Sequence, residues 1–154
     1  MISLKINLQS LVFATSISVC CLNVPAKVSA QETDILLERA AIYDVLTQYS
    51  YRWDSKDSFG FAELFTEDGS LERRVNGEKI VSATIKGKDA ILNYAKNSHQ
   101  GRLADRLSRH HFSGLVFIEL NETTAVTENM ALITHQTEND SAAFIVSSGY
   151  YLNT

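Results

Sequence analysis

The chain has almost no cysteine or proline, and neither residue falls where a fold would use it. Cys20, Cys21 and the single proline, Pro25, all lie within the first thirty residues. From Gln31 onward there is therefore no disulfide, no thiolate metal site and no proline-rich linker, and core packing alone must hold the chain together. Basic charge is also scarce. Removing Lys5 and Lys27 from the 14 Lys and Arg leaves 12 against 18 acidic residues, a net charge of −6 with neutral histidines, which argues against a nucleic-acid footprint. Glycine-rich phosphate loops, nucleophile elbows, internal repeats and low-complexity tracts are absent as well.

Residues 1–30 read as a secretory signal. Lys5 gives a short basic start, Ile6 to Leu22 is mostly apolar, and Val28-Ser29-Ala30 supplies small residues before Gln31. The apolar run is interrupted by Asn7, Gln9, Ser10 and Ser16, which is poor for a spanning helix, and Val19 is bulky for a residue preceding a lipidated cysteine. The expectation is a secreted or periplasmic protein without a membrane association after cleavage. The remaining residues 31–154 suit one domain with one core.

What is present is ordered in two styles. From Asp34 to Trp53 the apolar residues Ile35, Ile42, Val45, Leu46, Tyr49 and Trp53 return at helical spacing, which predicts an amphipathic helix. Asp57 caps a shorter helix carrying Phe61, Leu64 and Phe65, and Asn76-Gly77 marks a tight hairpin. Gly87-Lys88-Asp89 opens a third helix. Then Arg109–Leu120, Thr123–Gln136 and Ala142–Asn153 read as long strands rich in Phe, Val, Ile, Thr and Tyr, giving an antiparallel meander. Three helices with such a sheet make an α+β domain.

Asp54 stands beside Trp53 where the first helix ends. A carboxylate held against a ring in a poorly hydrated place can exchange protons near neutral pH, whereas in the plainer reading Asp54 and Asp57 are turn and capping residues. Imidazole is the other proton carrier, and His110 and His111 are adjacent on one predicted strand, so they point to opposite faces. Under strict alternation His110 shares a face with Phe112, Gly114, Val116, Ile118 and Leu120, and His111 with Ser113, Leu115, Phe117 and Glu119. That pattern does not choose between them. No zinc-type histidine spacing is present.

Trp53-Asp54-Ser55-Lys56-Asp57, Phe65-Thr66-Glu67-Asp68-Gly69 and the His110-His111-Phe112 strand, in this order of elements, resemble the SnoaL-like domains of the nuclear transport factor 2-like superfamily, nearest the scytalone dehydratase branch. The resemblance runs from about Ile35 to Tyr151 and implies a cone-shaped fold, three helices packed on a curved antiparallel sheet. It implies Asp54 deep in the cavity, His111 on its wall as the catalytic partner, and Tyr49, Trp53, Phe65, His110 and Asn129 around the pocket. It implies a cofactor-independent lyase or isomerase acting on a small molecule, with no metal, and a homodimer formed through the sheet. The superfamily also contains plain binding modules, so a non-catalytic role is the alternative. Three departures count against scytalone itself as substrate. Asn129 stands where the dehydratase has a second cavity histidine, Gly149 where it has an asparagine, and the substrate-holding tyrosine is replaced near Arg73. Family members also continue past a segment like Gly149-Tyr150-Tyr151 into another strand, so either the sheet is one strand short or the sequence is incomplete.

Overall fold

The computed structural model describes residues 30–154, so the expected signal segment lies outside the described residues apart from its last residue. Helix α1 (Ala30–Asp54) is followed by the short α2 (Ser58–Ala62), four two-residue strands, α3 (Lys88–Gln100) and three long strands. Asp57 caps α2 as its side chain predicts, accepting the Gly60 N–H at 2.9 Å, and it also pairs with Arg52 at 2.8 Å. Among the described residues no helix is long and apolar enough to cross a membrane.

The hairpin forms at Asn76-Gly77, with φ of 52° and 83° at the two turn residues. It is built in two stages. β2 (Arg74–Val75) pairs with β3 (Glu78–Lys79), and further from the turn β1 (Ser70–Leu71) pairs with β4 (Ile85–Lys86), the two stages being separated by a 3-10 turn at Val81–Ala83. The long strands β5 (Arg106–Leu120), β6 (Ala125–Thr137) and β7 (Phe144–Asn153) form one antiparallel sheet in the order β5-β6-β7.

Trp53, Phe61, Ala62, Ile91, Ala95 and Leu103 make the buried core where the end of α1 meets α2 and α3, with Tyr49, Phe65 and Tyr94 packed against it. The stripe of α1 that turns inward is narrower than its sequence suggests. Ile42, Leu46, Tyr49 and Trp53 are covered, whereas Ile35 and Val45 are exposed. α1 reaches β5 in its first half too, where Arg39 lies 4.0 Å over the Phe117 ring, but its apolar cover is concentrated where Tyr49 and Trp53 meet α2 and α3.

Strict alternation along β5 fails. The pairing with β6 shifts between Ser113 and Val116 and again between Phe117 and Glu119, and Gly114 sits at φ 66° in the first shift. Each bulge adds a residue and exchanges the two faces. The side chains covered on the helix side are therefore Ser108, His110, Phe112, Leu115, Phe117 and Leu120, while Val116 and Ile118 face outward and are exposed.

Candidate functional site at the end of helix α1

Asp54 is the last residue of α1, and it reaches across to the first half of β5. Its Oδ2 accepts the backbone N–H of His110 at 2.7 Å, and its Oδ1 lies 2.8 Å from His110 Nδ1. The two side chains are 11% and 6% exposed, so the pair is nearly dry. An ionised carboxylate only accepts hydrogen bonds, which makes Nδ1 the protonated ring nitrogen and leaves the lone pair of a neutral imidazole on Nε2. The carboxylate thus fixes the ring's tautomer and its orientation together.

This geometry corrects the histidine assignment. His111, expected on the cavity wall, points to the opposite side of the sheet, where it is exposed and its Nε2 lies 3.1 Å from Thr134 Oγ1. Adjacent strand residues face opposite ways, and the bulges that begin at Gly114 leave this part of the strand regular. His110 is therefore the imidazole that meets Asp54.

Aromatic rings enclose the pair. Tyr49 lies 6.3 Å from the His110 ring, 6.1 Å from Phe112 and 5.7 Å from Tyr151, centroid to centroid. Trp53 stands edge-on to His110 at 6.5 Å and packs against Phe61 at 4.9 Å. Phe65 packs against Phe61 and Tyr49. Tyr49, Trp53, Phe65 and His110, expected around the pocket, line neither the hollow beside Asp54 nor the one beside Asn129, because their rings pack against one another. Burial, and then its neighbour Tyr151, push the Tyr49 phenol well above its ordinary pKa, so it is a neutral hydroxyl at any physiological pH.

Asn129, placed in the pocket by resemblance, is buried on the inner face of β6 and does not touch the Asp54–His110 pair. Its Oδ1 accepts from Asn153 Nδ2 at 3.0 Å, and the same amide nitrogen reaches Thr127 Oγ1 at 3.2 Å. It lines a small hollow of about 120 Å³ with Tyr43, Leu46, Thr47 and Phe112. A larger hollow of about 400 Å³, open on one side, is lined by Thr47, Ser50, Tyr51, Asp54, Ser55 and Arg109. Arg109, Phe112 and Tyr151 were not singled out from the sequence as site residues. Phe112 shares the face of His110 two residues on, and Thr47, Ser50 and Asp54 recur at helical spacing, so a signal for both groups was present. Among the described residues no group of three or more His, Cys, Asp or Glu side chains is placed to hold a metal ion.

Several solved structures share this fold. A candidate scytalone dehydratase from Novosphingobium aromaticivorans is 26% identical, with a TM-score of 0.60 over 78% of this chain and 74% of that one. Rv3472 of Mycobacterium tuberculosis, a protein of unknown function, is 22% identical with a TM-score of 0.62 over 78% of this chain, which spans 63% of its length. The β subunit of a candidate aromatic-ring-hydroxylating dioxygenase from N. aromaticivorans is 18% identical with a TM-score of 0.64, covering 77% of this chain and 78% of that one. No curated protein shows significant similarity to the sequence. The sequence matches the SnoaL-like domain over residues 34–154, and with the helices and antiparallel sheet described above this makes the chain a member of the SnoaL-like domain family, with the nuclear transport factor 2-like fold.

Proposed function

We propose that the protein is an exported, cofactor-independent lyase or isomerase that moves protons on a small, largely apolar or cyclic molecule. The observation that carries this reading is the Asp54–His110 pair, nearly dry and held so that Nε2 carries the lone pair. As general base, Nε2 takes a proton from carbon while Asp54 stabilises the imidazolium that forms. For a dehydration, the electron pair of the broken C–H bond becomes the new double bond as the C–O bond breaks. The departing oxygen takes the proton back from Nε2, leaving water and a neutral imidazole. For an isomerisation the same proton returns to a different carbon. The likeness to a candidate scytalone dehydratase supports the fold in which such chemistry is housed. The test begins with mass spectrometry of small molecules retained by the purified protein, followed by turnover of the compound found. Asp54→Asn and His110→Gln should each lower kcat by at least about a hundredfold. Undiminished turnover in both removes the assignment.

A second reading, a binding module without chemistry, has its own support. Tyr49, Phe112 and Tyr151 pack against His110, and both hollows are open to the surface. It predicts tight capture of a ligand that survives Asp54→Asn without any conversion. Export rests on the leader sequence, and finding Gln31 at the N-terminus of protein recovered outside the cytoplasm would test it. The homodimer rests on the outward sheet face, where Val116, Ile118, Met130, Tyr150 and Leu152 form an exposed apolar surface. Light scattering of the purified protein would measure it.

A further inference from the structure

We infer that the larger hollow is a binding site for a small carboxylic acid that also bears a hydroxyl group, with Arg109 taking the carboxylate and Asp54 the hydroxyl. The site lies on the outer side of Asp54 and goes beyond the reaction proposed above, since it stands even if the pair performs no chemistry.

Volume comes first. About 400 Å³ lies within the range of about 300–1,000 Å³ usual for small-molecule sites. The donors and acceptors on its walls then limit the ligand. The Thr47 hydroxyl donates to the Tyr43 carbonyl, the Ser50 hydroxyl to the Thr47 carbonyl and the Ser55 hydroxyl to the Arg52 carbonyl. Their protons are committed to the helix backbone, so these walls offer only oxygen lone pairs. Donors must come from Arg109 and the Tyr51 phenol, whose side chain is exposed at the rim.

Arg109 has N–H groups free to serve. One of its five N–H groups is used, Nη1 donating to the Ser108 carbonyl at 2.6 Å. Among the described residues it has no carboxylate partner, a lack it shares with Arg39, Arg73 and Arg102, and of these four it alone lines the hollow. A free guanidinium fork in a concave site is the arrangement that binds a carboxylate through two parallel bonds. Asp54 lines the same hollow. Both its oxygens already accept from His110, but each retains a lone pair, so this wall repels an anion and accepts a hydroxyl. The guanidinium and the carboxylate therefore select different groups of one molecule.

The experiment uses 4-hydroxycinnamate, its methyl ester and cinnamate as probes of the purified protein, with calorimetry for affinity and amide NMR shifts for location. The expected result is that the hydroxy acid shifts the signals of Thr47, Ser50, Ser55 and Arg109, and that the ester binds at least about tenfold more weakly. Cinnamate, which lacks the hydroxyl, should be weaker by a smaller factor. Arg109→Met should erase the preference for acid over ester, and Arg109→Lys should restore part of it, with circular dichroism confirming that both variants are folded. Asp54→Asn should keep Arg109-dependent binding of the acid, which separates this site from the fate of the reaction. Equal affinity for acid and ester, an unchanged preference in Arg109→Met, shifts confined to another region, or no binding of any probe at millimolar concentration would each overturn the inference.

Discussion

Replacing Asp54 by Asn tests whether the carboxylate sets the His110 tautomer, and it needs no knowledge of a substrate. In the native chain the two carboxylate oxygens accept two N–H groups of one residue, the peptide N–H at 2.7 Å and Nδ1–H at 2.8 Å. An asparagine offers one acceptor and one donor. The peptide N–H cannot change its role, so the amide oxygen must serve it, and the amide nitrogen is left to donate to Nδ1. The ring can accept that bond only by moving its proton to Nε2. The number of hydrogen bonds is then unchanged and only their charge assistance is lost, a cost of about 1 kcal/mol. In a chain of this size that lowers the melting temperature by about 3–5 °C. Asp54→Ala instead strands both donors beside side chains that are 11% and 6% exposed in the native pair, and should cost about 2–4 kcal/mol. Long-range proton–nitrogen NMR of the imidazole, at a pH where it is neutral, reads the tautomer, and urea unfolding reads the costs. A wild-type tautomer in the asparagine variant, or equal losses in the asparagine and alanine variants, would refute the argument.

Three further outcomes follow from the packing. Burial, then the cations Lys56 and Arg102, hold the His99 pKa below its ordinary value, and burial, then Arg106, does the same for His135. Folding thus makes both harder to protonate than in the unfolded chain, which takes up protons below about pH 6.5, so stability should fall as pH drops from there toward the lowered folded values; urea midpoints at about pH 7.5 and pH 5.5 should show the loss, and His99→Gln should reduce it. Gly114→Ala adds a Cβ at φ 66°, 3.0 Å from Met130 Cε, and should destabilise by about 1–2 kcal/mol in the same assay, with a neutral result showing that the bulge does not need glycine. Asn129→Ala removes the acceptor of Asn153 inside the sheet and should cost about 1–2 kcal/mol, while leaving the His110 tautomer as it is.

Much of this arrangement was legible in the residues, and the gap has a specific physical origin. Helix spacing from Ile42 to Trp53, the Asp57 cap and the Asn76-Gly77 turn each depend on neighbours a few positions away, and local sequence is enough to read them. Asp54 was visible for the same reason. The choice of histidine was not, because strict alternation on β5 puts Phe112 with Val116 and Ile118 on one face and Leu115 with Phe117 on the other, so neither face stands out. Once the bulges are included, Phe112, Leu115, Phe117 and Leu120 fall on one covered side with His110. A bulge adds one residue without changing composition, and only the paired strand reveals it. Arg109 was hidden differently. It faces away from the core on the strand, and its importance depends on lying across a hollow from a helix more than fifty residues earlier.

Asp54 also does something for the sheet. Among the described residues β5 pairs only with β6, which leaves its other border without a strand, and the His110 peptide N–H lies on that border. An uncommitted border invites another chain to add a strand and begin an aggregate. With the carboxylate seated on that N–H, an incoming strand meets an occupied donor and a negative charge in the first half of the border. Variants that lose the Asp54 carboxylate uncover this N–H and are expected to show lower solubility, a change that turbidity on concentration would measure.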